Sequence, residues 1–214
     1  MRSRCLRCLR PTTFCCCRDL APIPTRTRVV ILQHPREARL AICSAWLAHV
    51  ALPRSEIHCG VRFEQHREVQ AAAAAPGAAL LFPGAEATPI ALAVAQPPQT
   101  LFVIDGTWPQ AVKMLRENPS IAALPRISLA PTEAGAYGEL RREPGPDTLS
   151  TIEAIALALG TLEGSPERFA PMFDAFRRSV ALQLACAQGP RRSPRHRPAR
   201  GPRPPSPPAR RREP

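Results

Sequence analysis

Residues 100–117, TLFVIDGTWPQAVKMLRE, constrain the fold more than any other stretch of the chain. A short unbroken apolar run, TLFVI, suits a strand buried on both faces, and such strands belong to parallel sheets covered by helices. It passes within a few residues into a helix-forming segment, with Pro109 in the first turn, where a missing N–H is harmless. The junction leaves an acid, Asp105, and a large indole, Trp108, beside the strand's carboxyl end. Each has an ordinary explanation, since Asp-Gly favours turns and tryptophan packs cores. Their shared position weakens those explanations, because open α/β sheets place ligand sites beyond the carboxyl ends of their strands, and ionisable groups gather there.

The alternation extends along the chain. Residues 28–33, 57–63, 78–82 and 126–130 read as further strands; residues 37–52, 64–75, 109–117 and 149–163 read as helices, with a last helix over about 166–187. The fold class expected is therefore α/β, with a largely parallel sheet spanning a body of residues 28–187. Ser150 and Glu153 stand at capping-box spacing before an apolar helix. A helix N-terminus also accepts an anionic ligand group, so the two uses need not compete. Neither a G-x-G-x-x-G nor a G-x4-G-K-[ST] pattern occurs, which argues against a Rossmann dinucleotide site or a P-loop. His34, His49, His58 and His66 show no ligand spacing and read as surface or core residues.

The first 20 residues form a Cys-rich cap. Cys5, Cys8, Cys15 and Cys17 give C-x2-C-x6-C-x-C, four thiolates able to close a tetrahedral shell around Zn²⁺. The second pair is tight, so Cys16 is an alternative ligand, and plain reduced thiols are the competing reading. Cys43, Cys59 and Cys186 are isolated in apolar segments and read as core residues. The cap is followed by an extended linker around Pro22 and Pro24. The N-terminus has positive charge but no apolar signal region, and no run approaches the ~20 apolar residues of a membrane span. A cytoplasmic protein with no membrane partner is expected. In that reducing setting cysteines are read as metal ligands or thiols rather than disulfides.

Net charge is +12, but residues 189–214 contain nine Arg against one Glu, which leaves about +4 for everything else. The same tail has nine Pro and almost nothing apolar, so a disordered or polyproline-like segment is expected, one that would add non-specific affinity for a polyanion.

The ordered set CLRCLRPTTFCCC, HPRE, LLFPGAEA, FVIDGTWPQAVKML, LPRISL and LSTIEAIALAL resembles the DTW-domain family of tRNA-uridine aminocarboxypropyltransferases over about residues 5–184. The resemblance implies a body similar to SPOUT methyltransferases, with a knotted C-terminal region, a zinc cap on Cys5, Cys8, Cys15 and Cys17, and a site around Asp105, Thr107 and Trp108. It implies S-adenosylmethionine as co-substrate and tRNA as partner, with the 3-amino-3-carboxypropyl group moving to uridine N3. Asp105 is the candidate general base, or else a residue that only orients ligands. Pro83, Gly84, Gly106, Thr107, Trp108, Ser150, Thr151 and Glu153 are candidate cofactor-binding residues. Arg141 is a candidate partner for the methionine carboxylate or a phosphate. A zinc-capped RNA-binding protein without chemistry and a SPOUT-like RNA methyltransferase are the rival readings. The segment ARLAICSAWLAHVAL and the Arg/Pro tail have no match in the family pattern.

Overall fold

Six parallel strands form one sheet: β1 (Arg28–Gln33), β2 (Ser55–Cys59), β3 (Ala78–Leu81), β4 (Thr88–Pro89), β5 (Thr100–Asp105) and β6 (Arg126–Ser128). Their order is β2-β1-β5-β3-β6-β4, so β1, β5 and β3 are central. This is a computed structural model, describing residues 3–8, 10–18, 20–40, 43–129 and 149–188, with side chains to residue 185. Arg141 and the tail expected to be disordered lie outside the described residues.

Side-chain alternation splits the core in two. Val29, Ile31, Leu101 and Val103 face one layer, made by α1 (Ser44–Ala51), α3 (Ile90–Ala93), α6 (Thr151–Glu163) and α7 (Ala170–Gln188). Val30, Leu32, Leu80 and Phe102 face the other, made by α2 (Arg67–Ala74), α4 (Trp108–Glu117) and α5 (Pro119–Ala122). Phe102 and Leu80 are fully buried, and cutting such a phenylalanine to Ala costs about 3–5 kcal/mol. Cys8, Cys16, Cys17, Leu20 and Ile23 from the N-terminal segment belong to the first layer's core, so the cap packs directly on the body.

Two elements and one residue differ from expectation. The strand placed at residues 57–63 ends at Cys59, because Gly60 turns the chain and the Phe63 N–H donates to Asn118 Oδ1 at 2.5 Å. A Cβ on Gly60 would come within 3.1 Å of the Phe63 ring. The helix expected at 37–52 is a single 3₁₀ turn, Glu37–Arg39, followed by α1 from Ser44; Leu40 between them is exposed and extended. Cys59 is exposed rather than in the core. No helix among the described residues is long and apolar enough to cross a membrane.

Candidate active site

Asp105 closes β5 on the face that carries Leu101 and Val103, which turns its carboxylate toward α6. It is 6% exposed. Gln33, its register partner at the end of β1, donates from Nε2 to Oδ2 at 2.8 Å. Thr151, the first residue of α6, donates from Oγ1 to Oδ1 at 2.5 Å. One carboxylate thus joins the ends of two central strands to the start of the C-terminal helices. A carboxylate offers about four acceptor positions, so these donors leave about two free.

The helix starts on either side are built to hold that geometry. Ser150 and Glu153 form the expected capping box: Glu153 Oε2 accepts the Ser150 N–H at 2.9 Å and its O–H at 2.6 Å. That fixes the residue between them, Thr151. Thr107 and Gln110 make a second capping box at α4, where Gln110 Oε1 accepts the Thr107 N–H at 2.7 Å. Gly106 allows this, since a Cβ there would come within 3.2 Å of Gln110 Cβ.

Trp108 begins α4 on the opposite sheet face and is 53% exposed. Its ring meets Phe82 edge to face at 5.5 Å, and Phe82 in turn carries the Arg126 guanidinium 5.8 Å from its centroid. The exposed Pro83 and Gly84 follow at once in the loop after β3, where a Cβ on Gly84 would lie 3.0 Å from Arg126 Nη1.

A further charged group reaches this region from the cap. Arg10 Nη1 donates to Ser179 Oγ of α7 at 2.6 Å, while its Nη2 is buried without a hydrogen-bond partner. Both Arg10 and Asp105 act on Cys43, just before α1. Burial pushes the Cys43 thiol up, Gln33 Nε2 at 3.1 Å lowers it, and the charges of Asp105 and Arg10 raise and lower it respectively.

The cap cysteines form a compact quartet. The Cys5–Cys17, Cys8–Cys15 and Cys15–Cys17 sulfur separations are 3.6, 3.8 and 3.5 Å. All four ligand atoms lie within 4.8 Å of one another. An ion bound tetrahedrally by thiolates at about 2.3 Å needs sulfurs about 3.8 Å apart, so the quartet can hold a metal ion. Cys16 points elsewhere, its Sγ 3.6 Å from the Phe14 carbonyl oxygen. Without a metal the thiols differ: N–H groups of Cys8 and Arg7 lower Cys5 to about 6, whereas burial pushes Cys17 and Cys8 up.

Asp105, Gly106, Thr107, Ser150, Thr151 and Glu153 therefore gather where β5 meets α4 and α6, and Pro83, Gly84 and Trp108 line the other side of the same sheet edge. Gln33, Arg10, Phe82 and Arg126 were not among the sequence candidates. Gln33 carried a usable signal, a polar residue ending an apolar strand; Arg10 carried none. A cleft of about 640 Å³ lies elsewhere, along β2, lined by residues including Arg28, His49, Glu56, His58 and Glu68.

The family model described as DTW domain matches residues 2–184. A Drosophila melanogaster protein named tRNA-uridine aminocarboxypropyltransferase 2 is 32% identical over 174 residues, covering 78% of this chain and 69% of its own length. The Mus musculus protein of the same name is 34% identical over 171 residues, covering 76% and 57%. An Arabidopsis thaliana tRNA-uridine aminocarboxypropyltransferase A is 28% identical over 198 residues, covering 78% and 75%. The chain thus spans little more than half of the mouse relative. No solved structure gives a significant match.

Proposed function

The chain belongs to the DTW domain family, and from that premise we propose that it transfers the 3-amino-3-carboxypropyl group of S-adenosylmethionine to N3 of a uridine in tRNA, forming acp3U and releasing methylthioadenosine. The observation that carries this reading is the Asp105 carboxylate, fixed between Gln33 and Thr151 at the carboxyl end of a central strand, with two acceptor positions to spare. Curated relatives named for this transfer support it.

When bound, S-adenosylmethionine supplies a γ-carbon made electrophilic by the sulfonium. The reaction breaks the bond from that carbon to sulfur, forms its bond to N3, and removes the N3 proton. Asp105 takes that proton. Uridine N3 is mostly protonated at neutral pH, so a positioned base contributes typically ~10²- to 10⁴-fold. The two donors on Asp105 also favour a second reading, in which it only orients the uracil imide or the donor's ammonium group. A pH–rate profile separates them, because a base gives an acidic limb that Asp105→Asn abolishes.

The residues present fit the donor in one specific respect. Arg10 Nη2 is a buried N–H group with no acceptor, and an unpaired charged donor is costly. The aminocarboxypropyl carboxylate would satisfy it. Gly106, Thr107, Ser150, Thr151, Glu153 and the Pro83–Gly84 loop are the residues we assign to binding the donor, and Arg141 is retained as a further anion partner. Trp108, with Phe82 below it, stacks the target base, as exposed aromatics do with unpaired RNA bases.

Zinc is the ion we assign to Cys5, Cys8, Cys15 and Cys17, since four thiolates select it or iron. Its role is structural, tying the cap to α1 and α7 in a cytoplasmic protein. The domain limits proposed are 1–20 for the cap, 28–187 for the catalytic body and 189–214 for the tail. The SPOUT-like knot is part of the same proposal, and the parallel sheet is compatible with it.

Mass spectrometry of nucleosides from unmodified tRNA incubated with the protein and S-adenosylmethionine tests the reading. A uridine heavier by the aminocarboxypropyl group is expected. A methylated nucleoside would instead support the methyltransferase reading, and unmodified tRNA that nonetheless binds the protein would support a non-catalytic RNA binder.

A further inference from the structure

Glu56 and His58 are two residues apart on the edge strand β2, so both side chains leave the face that α2 covers. His66 caps the start of α2, and Glu68 stands in its first turn. We propose that His58, His66 and Glu68 form a second metal site, separate from the cysteine quartet, for a borderline divalent cation of the Zn²⁺ type. It is independent of the proposed transfer activity.

One ligand atom from each of the three lies within 4.8 Å of the others. Ligands bound to a single ion at about 2.0–2.2 Å stand about 3.3–3.5 Å apart, so closure needs a shift of about an ångström. Glu68 is exposed and free to make most of it. The two imidazoles already meet edge to face, with centroids 4.7 Å apart. The donor set is selective: two imidazoles with a carboxylate suit Zn²⁺ and its neighbours, whereas Mg²⁺ and Ca²⁺ prefer all-oxygen shells.

The surroundings match what a metal-bound histidine needs. His58 has an 11% exposed side chain, and its Nε2 lies 3.3 Å from Glu56 Oε2. A carboxylate behind an imidazole fixes its tautomer and raises its basicity as a ligand. Arg28 holds that carboxylate at 2.5 Å. His66 has a competing task, since its Nδ1 accepts the Val69 N–H, yet at 3.4 Å that bond is long and easily surrendered. Three protein ligands leave a fourth position for water or an anion, and His58 and Glu68 both line the 640 Å³ cleft.

The test counts metal ions on the full chain, reduced, stripped, loaded with Zn²⁺ and desalted, by elemental mass spectrometry. About two ions per chain are expected. His58→Gln/His66→Asn should retain about one, as should Cys5→Ser/Cys17→Ser, each pair losing a different ion. Asn at position 66 keeps a good helix N-cap, so α2 should survive, as circular dichroism would verify. Should that pair fail to fold, the exposed Glu68→Gln is the substitute, expected to weaken the second ion at least ~10-fold, and Glu56→Gln should weaken it about 10- to 100-fold. With Co²⁺, the thiolate charge-transfer band should persist in the histidine variant. One ion in the wild type, or two retained in a folded histidine variant, overturns the proposal.

Discussion

Asp105 and Trp108 stand three residues apart at one strand-to-helix junction, yet they occupy opposite environments. The acid is 6% exposed and held by donors from β1 and α6; the indole is 53% exposed and meets the Phe82 ring. The cause is geometric. Alternation along β5 sends Asp105 to the layer of α1, α6 and α7, and the start of α4 returns Trp108 to the other face. A rigid, enclosed carboxylate suits chemistry on a reacting atom, whereas an open aromatic face suits recognition of a base. On the proposed function, the junction would divide the two tasks between the two sheet faces.

Asp105→Asn should break the comparison most severely. Turnover is expected to fall at least ~100-fold while tRNA affinity, read by filter binding, stays within about twofold. Arg10→Gln comes next: the KM for S-adenosylmethionine should rise about 10- to 100-fold with less change in kcat, as for loss of a charge-assisted hydrogen bond. Trp108→Ala should weaken tRNA binding about 5- to 10-fold and leave the donor KM alone, with Trp108→Phe recovering most of the loss. Equal damage to both substrates from either Arg10→Gln or Trp108→Ala would remove the division of labour.

Smaller effects concern stability. Thr151→Val strands a buried carboxylate oxygen, so unfolding free energy should drop by about 1–3 kcal/mol in urea titrations, with Thr151→Ser restoring it. The smallest involves His49, which burial holds below its ordinary value, with Glu56 partly opposing. The unfolded chain then takes up the proton first as pH falls. Stability should be full well above about pH 6.5 and decline as pH drops through that value toward the folded one. Thermal melts of His49→Gln should lack that part of the decline.

The sheet, the capping box of Ser150 and Glu153 and the place of Asp105 at a strand end could be read from sequence because each depends on local periodicity or on residues three apart, whereas the second capping box at Thr107 was not read. What escaped depends on distant partners. Gln33 and Thr151 meet Asp105 across 72 and 46 residues, and Arg10 meets Ser179 across 169. Arg10 was one arginine among many, and only the fold shows its buried nitrogen. His58 and His66 show no close ligand spacing in the sequence and so read as surface or core residues. The turn at Gly60 brings them together, and Asn118, 55 residues away from Phe63, secures it. Cys16 was similarly undecidable until the cap's geometry turned its sulfur toward Phe14.

The most direct measurement is the small-molecule by-product. Purified protein incubated with unmodified tRNA and S-adenosylmethionine, then resolved by chromatography, should yield methylthioadenosine in proportion to tRNA modified, and none with Asp105→Asn. S-adenosylhomocysteine in its place, or methylthioadenosine undiminished in the Asp105→Asn protein, would contradict the account.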